Sequence, residues 1–418
     1  MPVEIDIDDL LQPRLNEAQI AAIAYGDATP VEFSEKAILD FARARTGHSD
    51  FGPDDFRARL NMLCDEWNAD PGLSNIHRIT LWGYVSRYAV NRLLIQDILK
   101  RHPEIHDEVI DRPIIVAGLP RSGTTHLVNL IAADKRLRSL PLWESYEPLP
   151  LPGEPMLPDG TDPRWQRCAD AWVQMKATVP LLASMHPMEA DHIHEELELM
   201  GPDFASYNFE WISIIPQWRD HYYATDQTPH YEYMKTALKV LQWIRGPKRW
   251  VLKCPQHLEQ LPVLHKVFPD ATVAITHRDP AAVIQSAVTM IIYGQRLYRK
   301  QVEAKRIVDY WIERVEHLLR ACVRDRALWP ESQSIDVPFN EFMADDVAMA
   351  EKILAKAGLP ATEEARAQIA AFMKEHPRGK EGQVVYHFER DFGVSLDSLR
   401  ERFKFYYDAF PFLPRKTG

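Results

Sequence analysis

A glycine-rich segment, residues 118–125, combines the residue types that bind an anion. Gly118 and Gly123 are separated by four residues. The polar side chains within and after this interval are Arg121, Ser122, Thr124 and Thr125. Glycines let backbone N–H groups approach an anion, and guanidinium and hydroxyl groups add further donors. The segment therefore predicts a phosphate-type binding loop, and the alternative interpretation is an ordinary glycine–serine turn.

The residues on either side predict a strand before this loop and a helix after it. The apolar run 114–117 lies between Pro113 and Gly118, which is typical of a buried parallel strand. After Thr125, apolar residues recur at helical spacing. The loop thus ends at a helix N-terminus, whose dipole favours negative charge. The two glycines are spaced as in a Walker A loop, but the lysine of that motif is missing.

A second segment, residues 249–290, predicts two more parallel strands with a cation at the end of each. A strand over 250–252 ends at Lys253. After a helix predicted over 258–268, a strand over 272–275 leads to Arg278. In an open parallel sheet the carboxyl ends of the strands line the ligand crevice, so both cations are expected near the glycine-rich loop. The pattern predicts an α/β fold with a P-loop-like parallel sheet flanked by helices.

The rest of the chain predicts two regions. Residues 1–108 predict a helical N-terminal region, either a cap over the core or one over a substrate mouth, and residues 109–418 predict the α/β domain. The proline-rich stretch 141–163 predicts a loop. Residues 299–326 predict a long helix with a solvated basic face, and the aromatic stretch 207–233 predicts core with part of an apolar substrate site.

Composition excludes several classes of protein. With 418 residues, 46% of them hydrophobic and 26% charged, the chain is neither disordered nor fibrous. A net charge of −11 argues against broad nucleic-acid binding. The four widely spaced cysteines predict reduced thiols. No apolar run is long enough to span a bilayer, and the acidic N-terminus has no signal-peptide pattern, so we expect a cytoplasmic protein.

Three segments resemble a known enzyme family. The loop PRSGTT, residues 120–125, resembles the 5′-phosphosulfate loop of sulfotransferases that use 3′-phosphoadenosine 5′-phosphosulfate (PAPS). Arg278 is followed eight positions later by Ser286, as in the pair that holds the 3′-phosphate of PAPS in that family. The segment HPRGKEG, residues 376–382, is similar to the family's C-terminal loop over the same phosphate. The resemblance covers roughly residues 110 to 410.

The resemblance implies transfer of a sulfuryl group from PAPS to a hydroxyl or amine of a small-molecule or lipid-like acceptor. It implies that the 5′-phosphate is bound by Arg121, Ser122, Gly123, Thr124 and Thr125, that His126 lies against adenine, and that the 3′-phosphate is bound by Arg278, Ser286, Arg378, Gly379 and Lys380. Lys253 takes the place of the family's lysine near the bridging oxygen. Relatives use either a glutamate or a histidine as the general base, and here Glu144 is favoured, with His257 as the alternative.

Two other functions remain open at this point. A P-loop kinase or nucleoside triphosphatase would need the missing Walker lysine and an Mg²⁺-binding acid at a strand end. A non-catalytic nucleotide-binding protein would need no base. The segment 186–196, rich in histidine and acidic residues, indicates either a metal site or the acidic start of a helix, but it lacks metal-ligand spacing. We therefore predict no metal and a role for this segment in shaping the acceptor pocket.

Overall fold

The computed structural model describes residues 3–377 and 380–413. Its strands are β1 Glu4–Asp6, β2 Ile114–Gly118, β3 Leu137–Arg138, β4 Arg249–Cys254, β5 Thr272–His277, β6 Ser334–Pro338 and β7 Gln383–Val385. The helices of the first half are α1 Glu17–Ala28, α2 Glu35–Thr46, α3 Phe56–Ala69, α4 Asn75–Arg101, α5 Thr124–Ala132, α6 Leu142–Tyr146, α7 Pro163–Thr178, α8 Leu182–Met185, α9 Leu197–Met200 and α10 Asn208–Ile212.

The helices of the second half are α11 Pro216–Ala224, α12 Thr228–Arg245, α13 Leu261–Val267, α14 Pro280–Tyr298, α15 Ala304–Asp325, α16 Phe339–Ala344, α17 Asp346–Lys356, α18 Glu363–Glu375, α19 Phe388–Phe392, α20 Leu396–Arg402 and α21 Lys404–Ala409. Short 3₁₀ turns occupy Pro103–Asp107, Gly201–Asp203, Pro255–Glu259 and Arg326–Leu328. No described helix is both long and apolar enough to cross a bilayer.

A five-stranded parallel sheet lies at the centre, in the order β3-β4-β2-β5-β6. All five residues of β2 are buried. Ile115 packs into the hydrophobic cluster on one face of the sheet, and Val116 packs into the cluster on the other face. Helices therefore cover both faces, as a continuous apolar strand requires. The predicted α/β fold with a P-loop-like parallel sheet is confirmed.

The N-terminal helices extend one side of this core. Leu81, Val85 and Leu93 of α4 are fully buried in the same hydrophobic cluster as Ile115 of the sheet. The described residues up to 108 contain α1–α4, the 3₁₀ turn Pro103–Asp107 and the short strand β1. That three-residue strand pairs in parallel with β7, which is far away in the sequence, so no local pattern predicts it.

Three local predictions differ from the structure. The helix expected over 258–268 is split, because Pro262 has no N–H and clashes with a preceding carbonyl; the structure has a 3₁₀ turn and then α13. The predicted loop 141–163 contains the short helix α6. The predicted helix 299–326 begins only at Ala304, and its Arg314 is buried between Glu210 and Glu259 instead of solvated. The four cysteines are buried and free.

Candidate active site

The glycine-rich loop turns sharply between β2 and α5. Gly118 lies against Thr276 of β5, and a Cβ atom at this position would come within 1.9 Å of Thr276 Oγ1. Two residues in the loop have left-handed backbones, Arg121 with φ 66° and Gly123 with φ 85°. Helix α5 then begins at Thr124. The N–H groups of its first turn have no acceptor within the helix, so the loop offers donors to an anion.

Ser122 fixes the loop from inside. Its N–H and its hydroxyl both donate to the carbonyl of Leu119, at 3.2 and 2.5 Å. The same hydroxyl accepts from Thr276 Oγ1 at 2.7 Å, and the side chain is buried. Ser122 was predicted to contact the ligand, but its donors are used within the protein. The structure therefore gives Ser122 a role in holding the loop shape.

Two arginines converge on this loop. Arg121 Nε donates to Ser286 Oγ at 3.0 Å, and Arg278 Nη1 donates to the backbone carbonyl of Arg121 at 2.5 Å. The Arg278 guanidinium lies 4.1 Å from the ring centre of Phe339. Burial lowers the pKa of Arg278, and the positive charge of Arg121 lowers it further.

The cluster of Arg121, Arg278 and Ser286 has no internal counter-charge. Neither guanidinium forms an ion pair with a carboxylate in the part of the chain that the structure describes. Tyr386, which follows β7, completes the cluster with its hydroxyl 2.9 Å from Ser286 Oγ. Unpaired, partly buried arginines favour an anion with several oxygens, and phosphate fits that requirement.

Lys253 reaches the same loop from the neighbouring strand. It lies near the carboxyl end of β4, it is buried, and its Nζ donates to Thr125 Oγ1 at 3.3 Å. The ammonium also forms an ion pair with Glu195. Glu196 accepts from the backbone N–H of Lys253 at 2.8 Å. Lys253 is thus held between the start of α5 and a carboxylate of the segment 186–196.

Both residues predicted as the base are buried and paired, and neither is among the residues that line the cavity described below. Glu144 is 1% exposed and is paired with Arg245 at 2.7 Å and Arg138 at 3.4 Å. His257 is 0% exposed; Tyr231 OH lies 2.8 Å from its Nδ1 and Glu196 Oε1 lies 2.6 Å from its Nε2. Both side chains therefore have partners inside the core, and their assignment as the base stays a sequence-based prediction.

The segment 186–196 occupies the position opposite the loop. It runs beside residues 140–143: His194 N donates to the carbonyl of Leu140, and the carbonyl of His192 accepts from Leu142 N, both at 2.9 Å. Within the described residues, no cluster of histidine, cysteine and acidic side chains has the arrangement of a metal site. The segment is not the start of a helix either, because α9 begins only at Leu197.

A cavity of about 270 Å³ connects this segment with the glycine-rich loop. Its inner end is lined by Arg121, Thr124, Thr125, His186, His194 and Glu195. Burial raises the pKa of Glu195, although the Lys253 ammonium opposes this rise. Burial and the nearby cations lower the pKa of His186 and His194 well below the ordinary histidine value, so both imidazoles are neutral near pH 7.

The remaining residues predicted to contact PAPS lie partly within and partly outside the described part of the chain. His126 Nε2 lies 2.7 Å from Asp346 Oδ2, so part of the imidazole edge expected beside adenine is engaged by a carboxylate. Arg378 and Gly379 lie outside the described residues. Lys380 is exposed, and its N–H donates to the carbonyl of Pro377 at 3.4 Å. Gly382, just before β7, packs against Ile5 of β1.

Comparisons with known proteins agree with this geometry. Residues 113–364 match the sulfotransferase family. The sulfotransferase STF1 from Mycobacterium tuberculosis is 27% identical over 88% of this chain and 98% of its own, with a TM-score of 0.76. The sulfotransferase STF9 from Mycobacterium avium is 25% identical over 91% of this chain and 97% of its own, with a TM-score of 0.79. No match was found among curated proteins.

Proposed function

This chain belongs to the sulfotransferase family, and from that premise we propose that it transfers a sulfuryl group from PAPS to a hydroxyl group of a small acceptor. The chain is a sulfotransferase, so a sulfonate donor and an acceptor are its two substrates. The observation that supports PAPS as the donor is the pair Arg121 and Arg278, two arginines without carboxylate partners in the described structure, at a glycine-rich loop. PAPS carries a 5′-phosphosulfate and a 3′-phosphate on its ribose. These two anionic groups can supply the negative charge that the two arginines do not find within the protein.

We assign the two arginines to different ends of the donor. Arg121 and the N–H groups of Thr124 and Thr125 bind the 5′-phosphosulfate at the start of α5. Arg278 and Ser286 bind the 3′-phosphate, and Tyr386, whose hydroxyl is 2.9 Å from Ser286 Oγ, adds a donor that the sequence motifs do not include. Lys380 lies just before β7 and supplies a further cation on this side.

Lys253 and Glu195 perform the chemistry in this proposal. The acceptor oxygen attacks sulfur, a new S–O bond forms, and the bond between sulfur and the bridging oxygen breaks. Glu195 takes the proton of the acceptor hydroxyl, and its burial-raised pKa makes it a stronger base than an ordinary carboxylate. The Lys253 ammonium donates a hydrogen bond to the bridging oxygen and stabilises its developing negative charge. Adenosine 3′,5′-bisphosphate leaves.

A thermal-shift experiment tests the donor. Adenosine 3′,5′-bisphosphate at a hundredfold excess over its dissociation constant should stabilise the protein by about 2.7 kcal/mol through mass action. The same concentration of adenosine 5′-monophosphate, which lacks the 3′-phosphate, should stabilise it less, and so should ATP with Mg²⁺. If ATP with Mg²⁺ raised the melting temperature more than the bisphosphate, the donor assignment would be wrong.

A further inference from the structure

The walls of the cavity determine the chemical class of the acceptor. From the inner end at Thr125 and Glu195, the cavity passes between α4 and α14. Its middle is lined by aromatic and aliphatic side chains that are only partly covered by other residues: Tyr84, Trp211, Ile212, Met290, Ile291 and Tyr298. An acceptor whose hydroxyl reaches Glu195 must therefore place its body against this apolar wall.

The charged side chains of the wall are already neutralised within the protein. Glu198 accepts from Arg87 and Tyr88, each at 2.8 Å. Glu210 accepts from Arg314 at 2.8 Å and from Tyr310 at 2.6 Å.

The remaining charged residues of the wall are Arg299 and Glu303. Arg299 is paired with Asp70 at 2.6 Å and with Glu303 at 2.7 Å. His77 is neutral near pH 7, because burial lowers its pKa to about 4. Among the described residues of the lining, charge without a carboxylate partner is found at Arg121, which is assigned to the donor.

Three uncharged polar side chains of the wall, Thr80, Gln295 and Ser213, are hydrogen-bonded within the protein, whereas His77 Nδ1 and Arg299 Nε have no partner among the described residues. Thr80 Oγ1 donates to the carbonyl of Ile76 at 3.1 Å, and Gln295 Oε1 accepts from the N–H of Glu303 at 2.7 Å. Ser213 Oγ donates to the carbonyl of Phe209 at 3.1 Å and accepts from Trp67 Nε1 at 2.9 Å.

This wall is unsuited to two common kinds of acceptor. A charged group would lose its water without finding a counter-ion, and a sugar would bury most of its several hydroxyls against the apolar side chains of the wall. The volume of about 270 Å³ lies near the lower limit for small-molecule sites, so the acceptor body is compact. The methionines Met175, Met188 and Met290 add a flexible apolar surface that adapts to ring-shaped or branched bodies.

We infer that the acceptor is a neutral, mainly apolar alcohol or phenol with a single reacting hydroxyl, and not a carbohydrate or a charged molecule. The inference rests on the proposed function, because it takes the inner end of the cavity as the site of sulfuryl transfer. His186 and His194, whose neutral imidazoles line that inner end, are then available to orient the hydroxyl toward Glu195.

The test is a matched acceptor panel with PAPS and the full-length protein. It contains 2-naphthol, 6-hydroxy-2-naphthoate as its carboxylate-bearing counterpart, cyclohexanol, tyramine and glucose, and formation of adenosine 3′,5′-bisphosphate gives kcat/KM for each. We expect 2-naphthol to exceed its carboxylate counterpart, tyramine and glucose by about 10²-fold or more, because those three bury unpaired polar or charged groups. Equal or faster turnover of the carboxylate, tyramine or glucose overturns the inference.

A wall variant makes the test independent of the choice of alcohols. Met290→Lys places an ammonium group in the wall, and it should shift the ratio of kcat/KM toward 6-hydroxy-2-naphthoate by about tenfold or more. Met290→Leu is the matched control and should leave the ratio unchanged. A folded Met290→Lys protein that keeps the wild-type ratio contradicts the inference, and if this variant does not fold, the wild-type panel decides.

Failure of the acceptor inference and failure of the proposed function give different results. Binding of adenosine 3′,5′-bisphosphate, measured by thermal shift, reports the donor site alone. If the bisphosphate binds but glucose or the charged phenols are the better acceptors, the acceptor inference fails and the proposed function stands. Bisphosphate binding without turnover of 2-naphthol or cyclohexanol also counts against the inference. If the bisphosphate does not bind, the proposed function fails.

Discussion

The substitution Glu195→Gln tests the assignment of the general base most directly. Glutamine keeps the size of the side chain and can still accept a hydrogen bond from Lys253, but it cannot take a proton. General-base catalysis typically contributes about 10²–10⁴-fold to the rate, so kcat should fall by that factor. The affinity for PAPS should not fall, because the Glu195 carboxylate repels the phosphosulfate and, within the described residues, its ion-pair partner is Lys253.

The structure also fixes how this substitution acts on stability. Lys253 is 1% exposed and its counter-charge is Glu195. Removing one partner of a buried ion pair costs about 3–5 kcal/mol of stability when nothing replaces it. This is the upper limit for the loss of stability in the variant without bound nucleotide. A phosphate near the ammonium would restore the counter-charge. The rise in melting temperature on adding adenosine 3′,5′-bisphosphate should therefore be larger in the variant than in the wild type.

Glu144→Gln is the matched control. Glu144 is 1% exposed, and its carboxylate pairs with Arg138 and Arg245 instead of lining the cavity. The control should lower the melting temperature and leave kcat close to wild type. It should also leave the bisphosphate-induced shift unchanged. Steady-state turnover with a neutral phenol measures kcat. Thermal shift with and without the bisphosphate measures the melting temperature and its ligand-induced rise.

The pH dependence gives a second measure of the same base. Because the pKa of Glu195 is raised, the wild-type kcat should increase with pH through a midpoint above the ordinary carboxyl value and then level off. This acidic limb should be missing in Glu195→Gln. The reasoning is refuted if Glu195→Gln retains wild-type kcat, or if Glu144→Gln abolishes turnover in a protein that still folds and binds the bisphosphate.

Three further predictions concern the donor site. Arg278→Ala and Ser286→Ala should each weaken binding of adenosine 3′,5′-bisphosphate by about 1.5–3 kcal/mol and leave adenosine 5′-monophosphate nearly unaffected in calorimetry; equal losses for both nucleotides would contradict the assignment. Tyr386→Phe removes a neutral donor and should cost about 0.5–1.5 kcal/mol for the bisphosphate alone, whereas an unchanged affinity would remove Tyr386 from the site. Gly118→Ala places a Cβ 1.9 Å from Thr276 Oγ1 and should cost at least about 1–3 kcal/mol of stability; Thr276→Ala in the same protein should recover part of this loss, and no recovery would argue against the contact.

The sequence alone was sufficient to predict the glycine-rich turn and the parallel sheet, because short stretches of the chain carry both signals. The apolar run 114–117, the two glycines and the following helix are local signals, and the structure has the predicted strand, turn and helix there. Lys253 and Arg278 come at strand ends, and parallel strands bring their carboxyl ends to one edge whatever the rest of the chain does. The resemblance to sulfotransferases rested on these same local segments.

The acceptor side was decided by tertiary contacts. Glu195 lies 58 positions before Lys253, in a segment without helical or strand periodicity, and it reaches the ammonium only because residues 140–143 hold that segment beside the sheet. The sequence favoured Glu144 because it follows the first strand–helix unit, but packing turns its carboxylate toward Arg138 and Arg245. A carboxylate becomes a base or a structural partner according to which charges the fold places around it, and spacing along the chain does not contain that information.

Tertiary contacts also explain why the motifs did not predict the Tyr386 hydroxyl as a donor at the arginine cluster or the residues of the cavity wall. Tyr386 lies 100 positions from Ser286, and β7, which precedes it, is paired with the N-terminal strand β1. The cavity wall combines α4, α10 and α14, whose apolar faces look like ordinary core in the sequence. Periodicity shows that a helix face is apolar, but only the packed structure shows that part of that face is left uncovered next to a reactive carboxylate.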